Sequence, residues 1–342
     1  VISPSITEGG SEIVITGDYF GPLGVNSDIQ AHYGPSGSPN KYTATNCAVS
    51  SSQTEIRCNT IPGVGSGLMW SVTVGGQGSG VLTSKTTRYA NPTVSTLSGA
   101  AVDADGTATT GGADIVLTGT NFGPANAGTS ISVYYGPVSE PKKYDATAGC
   151  TVSLAHTTVT CKTVAGVGAN LKWQVEIEGQ ASIASSSTTK YIVPSINGLS
   201  GDAMAASGTT TYGGAAISIS GTNFGPSSHT EVAAQYGPPG STEKYTATGC
   251  AVISQTEITC VTAPGVGKDL RWSVTVGAQV STVFTSDATA YVVPEVTDLS
   301  GDAVISPSIT EGGSEIVITG DYFGPLGVNS DIQAHYGPSG SP

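Results

Sequence analysis

The chain has 342 residues, enough for two to four domains, and only 11% of them are charged. Ser and Thr number 42 and 44, and Gly 47 with Pro 19 adds nearly another fifth. That composition excludes a coiled coil or helical bundle, the absence of a long apolar run excludes a membrane-spanning helix, and a net charge of −13 argues against a nucleic-acid-binding surface.

In chain order, Ile13 and Ile15 alternate with polar neighbours and predict a strand. The turn GDYFGP follows at 17–22, then Tyr33-Gly34-Pro35, Lys41-Tyr42 and the pair Cys47 and Cys58. A Gly63-Val64-Gly65 turn leads into a strand with Trp70, Val72 and Val74 on one face, and Tyr89-Ala90-Asn91 runs directly into Pro92. The same series returns twice. ADIVLTGTNFGP at 113–124 and AAISISGTNFGP at 215–226 match SEIVITGDYFGP at 11–22. Tyr-Gly-Pro recurs at 135–137 and 236–238, and the Trp faces recur at Trp173, Val175, Ile177 and at Trp272, Val274, Val276. In the GTNFGP turn, Asn121 and Gly123 are expected in left-handed conformations, with Phe122 as a buried anchor. Seven or so short strands in each stretch of about 100 residues predict a two-sheet sandwich.

Pro92, Pro194 and Pro294 each open a new unit, giving domains at 1–91 (without its opening strand), 92–193 and 194–293, and a partial domain at 294–342. Residues 304–342 repeat residues 1–39 without a change, so a three-domain cassette is nested over the single-domain repeat. The expectation is a window on a longer periodic array, with strand exchange between short chains as the alternative.

Each unit carries one cysteine pair: Cys47 with Cys58, Cys150 with Cys161, and Cys250 with Cys260. Zinc spacings are missing, so these pairs are expected to be disulfides, each contributing about 3 kcal/mol and implying an oxidising, extracellular or cell-surface setting. Buried reduced thiols are the alternative. The opening Pro-x-Val/Ile, the Gly-Gly before the second strand, the I-x-I/L-x-G-T-N-F-G run and the Cys…Thr-x-I/V-x-C-x-T…G-V-G segment together resemble the IPT/TIG family. The likeness runs through every unit, with small departures at Asp18-Tyr19 and Ala165. It implies an all-β chain of tandem immunoglobulin-like sandwiches, of the kind found in surface receptors, extracellular repeat proteins and transcription factors. The acidic charge sets the last of these aside.

No catalytic motif is present, and no enzyme activity, metal or cofactor is expected. His156 and His229 lie at unrelated places in their units. Gly63-Val64-Gly65 reads as a plain turn, and the Trp of each unit as core. Pro at each junction, with no Gly/Ser linker, predicts a linear, semi-rigid array adding roughly 40 Å per domain. The sequence holds no Asn-x-Ser/Thr acceptor. The expected glycans are therefore O-linked, with candidates at Ser50, Ser51, Thr107, Thr109, Thr110, Ser186, Thr188, Thr189, Thr209 and Thr210. The expected partners are neighbouring domains of the same array and like chains. The function expected is a structural fibril or surface filament, with the stalk of a surface adhesin or receptor as the alternative.

Overall fold

The computed structural model describes residues 4–23, 28–51, 53–125, 128–305, 310–326 and 332–338. It divides into two units, one of residues 1–165 with 169–191, the other of residues 192–342 with Gly166–Gly168.

In the first unit, two sandwiches follow one another. The second is the more complete and shows the rule. One of its sheets runs in the order Thr151–Leu154, Thr158–Lys162, Asp114–Thr120, Thr93–Ser98. The other runs Tyr144–Asp145, Ile131–Gly136, Leu171–Ile177, Gln180–Ala181, with Thr188–Thr189 also paired to Leu171–Ile177. All these pairings are antiparallel, as expected for sheets joined by short turns. Strict alternation puts Leu171, Trp173, Val175 and Ile177 inward and Lys172, Gln174 and Glu176 outward. These meet Ile115, Leu117, Phe122 and Val159 from the facing sheet, all fully buried. Trp173 has no exposed surface and stacks on Tyr135 at 4.1 Å. The tryptophans are therefore core.

The GTNFGP turn behaves as its residues dictate. Asn121 has φ 61° and Gly123 φ 80°, and Phe122 is wholly buried. Each domain is also closed by a parallel bridge near its start, Ser5 to Tyr89, Thr107 to Tyr191 and Thr209 to Tyr291.

The first sandwich has the same second sheet, centred on Ile29–Gly34 and Leu68–Val74, but its other sheet has three strands, Glu12–Thr16, Glu55–Asn59 and Thr45–Ser51. Among the described residues nothing lies on the outer edge of Glu12–Thr16. In the second unit, the third sandwich has the four-stranded sheet again, with Ser195–Ser200 at its edge. Beyond it, Glu295–Ser300 and Val317–Asp321 form a two-stranded sheet. No helix among the described residues is long and apolar enough to cross a membrane.

Candidate functional site

The cysteine pairs form three disulfides, Cys47–Cys58, Cys150–Cys161 and Cys250–Cys260. Each links an edge strand (in the second domain the residue just before it) to the neighbouring strand of the same sheet rather than the two sheets to each other. Cys47 and Cys250 fall where the register of their strands shifts, which brings the Cα atoms to 4.1 Å. No free cysteine occurs among the described residues, and bonds of this kind belong to proteins that mature in an oxidising compartment, outside the cell or on its surface.

The hydroxyl candidates divide sharply. Ser50, Ser51, Thr110, Ser186, Thr188 and Thr210 are exposed. Thr107, Thr109, Thr189 and Thr209 are buried and cannot carry a sugar in the folded chain, which corrects the sequence expectation at those four positions. Thr189 accepts the indole N–H of Trp173 at 2.9 Å, and Thr107 and Thr209 sit in the parallel bridges. Buried and exposed hydroxyls lie side by side at Thr109 and Thr110, Thr188 and Thr189, and Thr209 and Thr210, whereas Ser50 and Ser51 both face solvent.

The most elaborate construction in the molecule is the passage from one domain to the next, seen whole within the first unit. It starts with three tyrosines in the first domain. Tyr89 donates to the Ile61 carbonyl at 2.6 Å, which uses its only hydrogen, so Tyr33 donates to Tyr89 across 2.7 Å. Tyr33 in turn accepts the Ile61 N–H at 3.0 Å. Tyr42 donates to the Val64 carbonyl at 2.9 Å and accepts the Val64 N–H at 3.2 Å. Burial pushes the Tyr33 and Tyr89 phenols up from their ordinary range, and each neighbouring hydroxyl adjusts that further. A Cβ on Gly63 would fall 2.7 Å from the Tyr89 hydroxyl, so only glycine admits the ring here.

Held this way, Val64 points out of its own domain and is buried in the core cluster of the next, beside Phe122. Its methyl occupies the place a Cβ on Gly123 would take. Around this contact the two domains share hydrogen bonds. Gln180 donates to the Tyr89 carbonyl at 2.9 Å and to Asn91 Oδ1 at 3.2 Å. Asn91 donates to the Ala181 carbonyl at 3.2 Å, and Asn121 to the Asn91 carbonyl at 3.3 Å. The tight turn at Glu178 and Gly179, both at positive φ, puts Gln180 in reach and sets Glu178 3.4 Å from Lys41. His156 Nδ1 meets Thr7 Oγ1 at 2.9 Å.

The second unit repeats these parts. Tyr245 brackets Val266 through both its backbone groups, at 2.8 and 3.1 Å, and the Val266 side chain faces Gly324. Val167 is buried in the core cluster of that unit and faces Gly225. Gly63-Val64-Gly65 is thus more than a plain turn. The sequence did carry a signal, since the Tyr, Gly-Val-Gly and Asn-Phe-Gly motifs recur together.

The sequence profile of the IPT/TIG domain matches residues 1–89 and 202–292, more than half of the chain. The chain belongs to the IPT/TIG family. The IPT/TIG repeat between those regions carries the same turn, cysteine pair and tryptophan strand. None of the curated proteins matches the chain in sequence. Among solved structures, the Escherichia coli adhesin FdeC is similar at 16% identity, over 85% of this chain and 94% of its own, with a TM-score of 0.24. Invasin, a bacterial integrin-binding protein, is similar at 15% identity, over 84% of this chain and 62% of its own, with a TM-score of 0.23. The FN1–FN3 domains of chicken CNTN1 are similar at 11% identity, over 83% of this chain and all of theirs, with a TM-score of 0.22. Among the described residues, no three His, Cys, Asp or Glu side chains gather as a metal site would require. The junction offers packing and hydrogen bonds.

Proposed function

We propose that the chain is a structural protein of an extracellular fibril or surface filament, built by end-to-end repetition of its IPT/TIG domains and carrying O-linked glycans on its exposed hydroxyls. The identity of residues 304–342 with residues 1–39 carries this reading. Thirty-nine residues copied without change at an offset of three domains fit repetition along one axis, whereas a set of diverged binding domains would have no reason to keep them. The junction supports it. Pro92 follows Asn91 without a linker, and both the side chain and the backbone of Asn91 are engaged by the next domain. Low charge leaves solubility to the hydroxyls, and exposed Ser50, Ser51, Thr110, Ser186, Thr188 and Thr210 are where sugars would attach.

Electron microscopy of the native material tests the reading. Thin filaments with a repeat of about 100 Å or slightly more are expected from three domains of strand length plus loops. Isolated globular particles would overturn it. Intact mass tests the glycans separately, and agreement with the mass of the bare sequence removes them.

A further inference from the structure

Ser195–Ser200 is the edge strand of one sheet of the third sandwich, and the two residues at its middle differ from their counterparts. The second domain places Ser95 and Thr96 there, and the stretch after Pro294 places Thr297 and Asp298. The third domain has Asn197 followed by Gly198, which is the one Asn-Gly pair in the chain. Asn and Gly are both poor strand formers, and together they normally mark a turn. Here the pair lies within a strand. Nothing in the backbone asks for the glycine. Gly198 takes no left-handed φ, and a Cβ added to it would meet Ser220 Oγ at 3.0 Å, a group that can rotate away. The pair weakens the strand without a packing reason, and such a local conflict is the mark of a residue kept for something else.

The pairing of this strand leaves the asparagine free to react. Ile196 stands opposite Gly221 and Gly198 opposite Ser220, so Asn197 is the extra residue of a β-bulge and has no partner across the sheet. Its side chain is exposed, and its amide makes no hydrogen bond to any described residue. The carbonyl carbon of that amide is a single ring closure away from the Gly198 nitrogen, and no Cβ on residue 198 stands in the way. We propose that Asn197–Gly198 is a site of spontaneous modification in the folded chain, where the side chain closes onto the backbone and the asparagine becomes aspartate or isoaspartate. The Gly198 nitrogen forms a bond to Asn197 Cγ and gives up its proton, the bond from Cγ to Nδ2 breaks, and ammonia leaves. Water then opens the cyclic imide at either of its carbonyls. Opening at Cγ gives aspartate, and opening at the backbone carbonyl gives isoaspartate, whose main chain runs through Cβ and Cγ. Either product sets a new negative charge on the exposed edge strand. The bulge accommodates the longer isoaspartyl backbone, because it already carries a residue outside the ladder. The site belongs to one folded domain and needs no filament.

The test incubates the native 342-residue chain in warm, mildly alkaline buffer and follows residue 197 by peptide mapping. Aspartyl and isoaspartyl peptides are both expected to grow with time at that position, while peptides carrying Asn59, Asn121 and Asn223 stay unchanged. Isoelectric focusing should show one negative charge added to the −13 of the sequence. Hydroxylamine, which attacks the imide, should cut the folded chain between residues 197 and 198. The two fragments should part on a denaturing gel without reduction, because no disulfide spans the cut. Gly198→Thr, which installs the residue of the second domain, should slow the conversion roughly tenfold or more, with the melting transition kept or raised. Conversion confined to the urea-unfolded chain overturns the proposal, and so does aspartate without isoaspartate, since direct hydrolysis makes no ring. Equal rates in the Gly198→Thr chain overturn it as well. If that variant fails to fold, hydroxylamine on the unaltered native chain decides alone, and a chain left whole overturns the proposal.

Discussion

The first and second domains carry one motif series and bury it differently. In the second, the Thr93–Ser98 strand covers the edge of Asp114–Thr120, and Leu117 and Phe122 lose all contact with solvent. In the first, the matching edge is bare among the described residues, Ile15 is half-buried, and Phe20 keeps 8% of its surface in water. The turns differ as well. A Cβ on Gly123 would collide with Val64 of the preceding domain, while a Cβ on Gly21, at φ 89°, would meet nothing within 4 Å. In the second domain one edge strand and one valine from the neighbour close over the anchor phenylalanine. The core of an IPT/TIG domain is thus completed partly by residues outside its own two sheets.

The largest expected effect comes from the anchors. Phe122→Ala should cost about 3–5 kcal/mol in urea unfolding, and Phe20→Ala distinctly less, because Phe20 already contacts water and its site can relax. Equal losses would break the contrast between the domains. Next comes the neighbour's valine. Gly123→Ala should cost about 1–3 kcal/mol, from positive φ and overlap together, while Gly21→Ala bears the conformational part only. Val64→Ala in the Gly123→Ala chain should recover the overlap part, and a double-mutant cycle measures the coupling. Strict additivity would mean that Val64 does not occupy that place.

The smallest effect is graded with pH. Burial raises the Tyr135 phenol to about 12 against a smaller lowering by its hydrogen bond with Tyr191, and Tyr191 and Tyr291 are raised as well. In an unfolded chain such groups ionise near pH 10. Above about pH 10 the unfolded chain therefore releases protons that the native one keeps, and stability falls as pH rises, by up to ~1.4 kcal/mol per pH unit for each tyrosine. Thermal melts between pH 9 and 12 should show this decline, and Tyr135→Phe should make it shallower. A flat profile would mean that the tyrosine hydroxyls reach solvent.

Much of this architecture is readable before folding. The left-handed Asn121 and Gly123, the buried Phe122, the core tryptophans and the pairing of cysteines within each unit all follow from local rules or from spacing. The convergence of Tyr33, Tyr42 and Tyr89 does not, because it joins a cross-strand pair of one sheet to a tyrosine 56 positions after Tyr33 that lies outside the strands. The joint recurrence of the Tyr, Gly-Val-Gly and Asn-Phe-Gly motifs signals that they act together, but a valine between two glycines does not say that its pocket belongs to the following domain. The hydroxyl clusters mislead for a related reason. Thr109 and Thr110 are chemically alike and adjacent, and only the path of the turn that holds them decides that one is buried and the other in water.

The disulfides matter most when such a domain is pulled. Each closes a loop within one sheet, its cysteines 10 or 11 positions apart in sequence. A domain dragged open by its ends therefore cannot release that loop, which withholds about 35 Å of slack at the length of an extended residue. Tension passes through the bond instead. Oxidation thus sets how far each domain can stretch as well as how firmly it is folded.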